Sequence, residues 1–346
     1  MIKKIIVPAA VSSQLDDSGK ERIHMAPLPD SYARPIWIPS VPPQLVFAGE
    51  IAGARLLVSS DGGLTWPTTV DTGGMSAANS LANEGSRIGR HTALAGRFSA
   101  DGTTFADIAG DLSGTGAPMW SLYTGSEYLR MSVGGLRASA DGVTYAARTI
   151  PALGVPNSAV NSVAKRGNNI VCSYLVGATN RVLSSVDNGA TWAAVSTGST
   201  TQLVATDTSF LAFVGSSGRV DRATTGANGT WSFNMATLPL STGFVRGAAY
   251  SPELDRVVVA NGAGQIFFSN NDGSNWTAAA TLLPDIIDQV DNTGLIYAHG
   301  RFILVYHTID TSYIYTSEDG DTWTQRHSEL SADMALYHLA YLPEAE

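Results

Sequence analysis

The chain has 346 residues, 44% hydrophobic and only 15% charged, with a formal net charge of −9 and a pI near 5.1. That apolar content can bury a large core and excludes an unfolded or linker-like chain, while an acidic balance with no basic stripe excludes a phosphate-tracking nucleic-acid surface. No stretch approaches the roughly 18 uninterrupted apolar residues of a membrane span, so no membrane insertion is expected.

At the N-terminus, M-I-K-K-I-I-V-P-A-A-V imitates a signal peptide, but the apolar run is short and broken by Pro8, so secretion by that route is not expected. Residues 26 to 43 hold Pro27, Pro29, Pro35, Pro39, Pro42 and Pro43, too many for a helix or a central strand. Residues 1–43 therefore read as an extended proline-rich arm. It either straps the protein's own surface, with Tyr32, Ile36 and Trp37 as anchors, or docks on a partner or a neighbouring subunit to make a homo-oligomer. Residues 44–346 form the second domain.

From residue 44 onward, 35 glycines imply many tight turns and short strands, and one turn recurs. The octet S-x-D-x-G-x-T-W stands intact at Ser59 to Trp66, with Asp61, and at Ser185 to Trp192, with Asp187. A form one residue shorter occurs at Ser99 to Phe105 (Asp101), Ser139 to Tyr145 (Asp141) and Ser317 to Trp323 (Asp319). Ser269 to Trp276 substitutes Asn271 for the aspartate, and a decayed copy ends at Trp231. The aromatic ends at 66, 105, 145, 192, 231, 276 and 323 lie 39 to 47 residues apart, the length of one four-stranded propeller blade.

Each turn is preceded by an alternating strand such as Arg181-Val182-Leu183-Ser184, and that strand by a hairpin of two apolar runs such as Ser162 to Val171. Cys172, the single cysteine, falls in Ile170-Val171-Cys172 and reads as a buried small hydrophobe. The C-terminal Leu339-Ala340-Tyr341-Leu342-Pro343-Glu344 copies the first-strand segment Ala248 to Glu253, and the chain then stops. Gln44 to Ala48 and Arg55 to Val58 supply a second and a third strand. The ends are therefore expected to share one blade, closing an all-β seven-bladed propeller of four-stranded antiparallel blades and removing its free sheet edges.

The octet resembles the Asp box of the sialidase-type (BNR) repeat, with six recognisable copies in register. The resemblance implies a hairpin joining the third and fourth strands of each blade. The residues fit such a turn: Gly supplies positive φ, the carboxylate accepts backbone N–H groups, the hydroxyl closes the loop, and the aromatic packs between blades. Repeated at every blade, the boxes read as scaffold, and each offers too few oxygens for Ca²⁺. By resemblance to sialidases, function belongs on the opposite face, over the central channel. There the connections 68–79, 107–119, 147–158, 234–246 and 279–293 and the loops 176–180 and 307–312 supply Trp120, Arg148, Arg246, Asp285, Asp288, His307 and Asp310 as binding candidates. Trp120 also reads as the start of an innermost strand, and His307 as a satisfied strand-end histidine.

A sialidase needs three convergent arginines, a Tyr–Glu pair and an acidic Asp. Arg34-Pro35-Ile36 has the wrong order for its signature, and seven boxes do not suit its six blades. A different glycosidase would place two carboxylates roughly 5 to 10 Å apart, with Asp111, Asp285, Asp288 and Asp310 as sources. Six scattered histidines show no metal spacing, and no metal or cofactor is expected. The Ser/Thr/Gly/Asn-rich, cysteine-poor, acidic composition resembles that of bacteriophage virion proteins, particularly tail components that recognise a host surface. The expectation is thus a non-catalytic binding or structural propeller, in a virion or extracellular, whose partner is a protein or a surface glycan. The alternative is a glycoside hydrolase acting on a surface polysaccharide.

Overall fold

The computed structural model describes residues 11–15, 21–25, 44–50, 55–72, 80–91, 96–108, 118–132, 135–151, 158–176, 179–195, 200–215, 217–240, 244–281, 283, 294–308, 310–330 and 336–342. The chain divides into two units, residues 44–343 and residues 1–43 with 344–346. In the smaller unit Val11–Leu15 and Glu21–Met25 pair as an antiparallel hairpin, which the expectation of an extended arm did not contain. The proline-rich stretch with Tyr32, Ile36 and Trp37 lies outside the described residues.

The larger unit is a seven-bladed propeller, each blade a four-stranded antiparallel meander. Blade 1 is built as expected from both ends of the chain: Leu336–Tyr341 is its innermost strand, followed outward by Val46–Glu50, Arg55–Ser59 and Thr68–Asp71. Blades 2 to 7 begin with the innermost strands Ser80–Asn83, Pro118–Tyr123, Ser158–Arg166, Thr200–Ala205, Val245–Ser251 and Gly294–Ala298. These seven strands pack against one another in sequence around the axis, and the last meets the first, so the ring is closed. Among the described residues no helix is long and apolar enough to cross a membrane.

The recurring turn joins third to fourth strands, and its hydrogen bonds explain its spelling. Ser185 Oγ donates to Asp187 Oδ1 (2.7 Å) and accepts from Gly189 N (2.8 Å), while Asp187 Oδ1 also accepts from Thr191 N (2.8 Å). Trp192 Nε1 then donates to Gly189 O at 2.9 Å. The same pattern holds at Ser59, Asp61, Gly63 and Trp66, and Asn271 Oδ1 replaces the carboxylate in blade 6. Gly189 needs its φ of 89°, and a β-carbon there would lie 2.5 Å from Leu129. Replacing Asp187 by alanine strands these donors and is expected to lower stability by about 1–2 kcal/mol, read as a shift of the urea midpoint at unchanged slope.

Each turn aromatic packs on the preceding blade. Trp66 joins Ile303, Val305 and Ile314 of blade 7, Phe105 joins Phe47 and Leu56 of blade 1, and Trp192 joins Leu129, Met131 and Leu136 of blade 3. Trp231, Trp276 and Trp323 do the same on blades 4, 5 and 6. Arginines add polar stitches: Arg87, Arg166 and Arg256, at the first hairpin of blades 2, 4 and 6, donate to carbonyls of Gly142, Thr224 and Asp319 in the next blade's turn. Cys172 is fully buried in the apolar cluster between blades 3 and 4, where desolvation pushes its thiol up. Apolar clusters thus fill six of the seven interfaces. The seventh, between blades 2 and 3, buries Glu84, Arg87, His91, Ser121 and Arg130 instead.

Candidate functional site

The repeat turns and first-to-second hairpins occupy one face of the ring, so the other face carries the second-to-third loops, the inter-blade connections and the mouth of the channel. The innermost strands of blades 3, 4, 5 and 6 each carry a register shift at that end, between Pro118 and Trp120, Ser158 and Ser162, Thr200 and Gln202, and Val245 and Gly247. Such bulges re-aim side chains at the rim of a sheet.

Arg246 is the extra residue of the blade 6 bulge. Its guanidinium carbon lies 5.3 Å from the ring centre of Phe244, and Gln202 Nε2 of blade 5 donates to its carbonyl at 2.6 Å. Phe244 is 36% exposed at the mouth. Outward from it, the fourth strand of blade 5, Trp231–Thr237, carries Phe233 (52% exposed) and Met235 (42% exposed). Three of the six exposed large apolar side chains among the described residues therefore lie within 233–244. Arg219 sits 6.0 Å from the Phe233 ring and pairs with the fully buried Asp221, which also accepts from Asn234 N at 2.8 Å. This hydrogen bond, with Asn234 at φ 55°, bends the edge strand between Phe233 and Met235.

The remaining candidates are placed as follows. Trp120 is buried among Leu129, Met131 and Leu183 between blades 3 and 4, a core position rather than a sugar platform. His307 ends the second strand of blade 7. Its Nδ1 lies 3.0 Å from Ser312 Oγ, which in turn accepts from Leu336 N, and its ring stacks 4.9 Å from that of Tyr337. Burial holds this imidazole below its ordinary value, so it is a neutral, satisfied strand-end histidine at pH 7. Asp310 is exposed at the tip of the next turn. Arg148 differs from expectation: it forms a bidentate pair with Glu127 (2.9 and 3.1 Å) and donates to Gly189 O (2.8 Å). Both partners belong to the repeat-turn face, so its guanidinium is an inter-blade brace there. Asp285 and Asp288, like Asp111, lie outside the described residues.

The buried charges between blades 2 and 3 went unnoticed in the sequence. Their signal was available: Arg90, His91 and Arg130 interrupt second strands that in blades 5 and 7 read Phe-Leu-Ala-Phe and Phe-Ile-Leu-Val. Among the described residues no cluster of three or more His, Cys, Asp or Glu side chains is placed to hold a metal ion.

No protein-family model and no curated protein matches the chain. Solved structures do. YCF48 bound to a D1 peptide superposes with a TM-score of 0.54 at 16% identity, covering 87% of this chain and 94% of that one. Apo AztD from Citrobacter koseri gives 0.57 at 10% identity over 86% and 98%, and the nidogen–laminin complex 0.51 at 7% over 86% and 98%. At such identities the likeness shows the fold, and the chain is similar to all three as a propeller.

Proposed function

We propose that the protein is a non-catalytic recognition module whose partner is an extended protein segment held along the arginine–aromatic edge of blades 5 and 6. The observation that carries this reading is the seven-residue outer strand Trp231–Thr237. It is the last strand of its sheet, so its outward backbone groups have no neighbouring strand, and it presents Phe233 and Met235 to solvent. Exposed aromatic and methionine side chains beside arginine are the composition of interface hot spots, and an unpaired edge is a template for an added strand. Two propellers of similar fold, YCF48 with its D1 peptide and the nidogen–laminin pair, have protein or peptide partners, which agrees with this choice.

Kinship with the Asp-box repeat family, and a place in a bacteriophage virion with a neighbouring virion protein as the partner, are finer forms of the same reading. They rest on the octet and on composition. A glycan partner for such a virion part, or hydrolysis of one, would use the aspartates of the channel mouth instead of the blade 5 edge.

The test is a displayed-peptide library selected on the full chain, followed by calorimetric titration of the selected peptides. The F233A/M235A and F244A variants change only exposed side chains and are expected to fold normally. Each should weaken binding at least about tenfold, roughly 1.4 kcal/mol. Equal affinity in all three proteins would show that the partner sits elsewhere.

A further inference from the structure

The blade 2–3 seam differs in kind from the other six interfaces. From blade 2 it contains Glu84, Arg87 and His91, and from blade 3 Ser121, Arg130, Arg137 and Tyr145. Glu84, 0% exposed, lies where Gly89 has no side chain: a β-carbon there would be 2.4 Å from Glu84 Oε1. Its carboxylate meets His91 Nε2 at 2.8 Å and Arg87 Nε at 2.9 Å. Burial opposes its charge, but the His91 hydrogen bond and the Arg87 guanidinium prevail and hold it at about 2. Arg87 is in turn fixed between the rings of Phe98 (4.4 Å) and Tyr128 (4.0 Å) and donates to Gly142 O.

An ionised carboxylate only accepts, so the His91 nitrogen beside it carries the hydrogen and Nδ1 points the other way. There it faces Arg130, 2% exposed on the second strand of blade 3. Arg130 Nη1, Arg130 Nη2 and His91 Nδ1 are all buried and make no hydrogen bond in the protein. Two of them converge: the point a β-carbon on Gly96 would occupy is 2.9 Å from His91 Nδ1 and 3.5 Å from Arg130 Nη1. The charge balance is uneven as well, with the guanidiniums of Arg87, Arg130 and Arg137 against the one carboxylate of Glu84. Burial alone pushes Arg130 down to about 10, a measure of how poorly its charge is compensated. An uncompensated buried guanidinium is costly unless something negative lies beside it.

We infer that the seam is a binding site for one small monovalent anion of halide size, held by Arg130 Nη–H groups and by the Nδ1–H of a protonated His91. The size limit comes from the walls. The same point is only 2.8 Å from Ile108 Cδ1, and the surrounding side chains are almost fully buried, so a sulfate or a carboxylate ligand does not fit. The anion supplies the missing negative charge, and His91 takes up a proton as it binds, braced by Glu84 at Nε2 and by the ion at Nδ1. Facing that imidazole are Glu84 and Arg87 from its own blade and Arg130 from blade 3. The ion would complete the interface that lacks an apolar cluster, making ring closure at this seam dependent on halide.

Thermal unfolding of the full chain at fixed ionic strength, with gluconate replaced stepwise by chloride, tests this. The midpoint should rise and saturate, by about 5 °C at a hundredfold excess over half-saturation, with tighter apparent binding at lower pH. Sulfate should not reproduce the rise, and Arg130→Met should abolish it. Because that variant removes a buried side chain and could fail to fold, bromide is also soaked into crystals of the unmodified protein. One anomalous peak within about 3.5 Å of Arg130 Nη is expected. A flat chloride response, or bromide confined to the surface with water between Arg130 and His91, overturns the inference.

Discussion

Glu84→Gln is expected to lower the stability of the propeller by about 3–5 kcal/mol, read as a large fall in urea midpoint with little change in slope. The substitution keeps the shape of the side chain, so packing is not the cause. It removes the single negative charge from a seam of arginines, and the new amide presents N–H groups toward His91 Nε2 or Arg87 Nε, which are donors already. Arg87 retains its stacking on Phe98 and Tyr128 but loses its counter-charge. Replacing the pair together, as E84M/R87M, should recover part of the loss, because an apolar pair carries no desolvation cost and would resemble the other six interfaces. A loss below about 1 kcal/mol in the single variant would mean that water reaches the carboxylate.

Trp192→Ala should cost a similar amount, about 3–5 kcal/mol, for a different reason. The indole is 8% exposed and fills the space between the turn of blade 4 and Leu129, Met131 and Leu136 of blade 3. Truncation leaves a cavity between two rigid sheets that cannot close around it, and it strands Gly189 O, the acceptor of Nε1–H. Trp192→Phe separates the two effects: it keeps most of the volume, loses only the hydrogen bond, and should cost about 1–2 kcal/mol. Equal losses in the two variants would place the effect in the turn and not in the packing.

The contrast between these interfaces explains what the residues made legible. The octet is readable because its chemistry is local: Ser, Asp, Gly, Thr and Trp satisfy one another within eight residues, and the spacing of copies sets the number of blades. Closure by Leu336–Tyr341 against Val46–Glu50 is readable because the C-terminal Leu-Ala-Tyr-Leu-Pro-Glu copies a first strand left without its partners. Arg148 was misplaced because its position in the chain says which connection it begins, while its long side chain reaches back to Glu127 and Gly189. The Glu84–His91–Arg130 seam is not periodic. It depends on Gly89 and Gly96 having no side chains at the points where a carboxylate and an imidazole must fit, and no single blade contains that information. Phe233 and Met235 were passed over because an alternating outer strand reads the same whether or not anything covers it.

The most direct test of the functional account is a side-by-side screen of the full chain on a displayed-peptide library and a glycan array, with every retained ligand followed by mass spectrometry for cleavage. The account predicts extended peptides that bind, survive intact, and are lost on changing Phe233, Met235 or Phe244. Retention of glycans alone, or the release of fragments from any ligand, would contradict it.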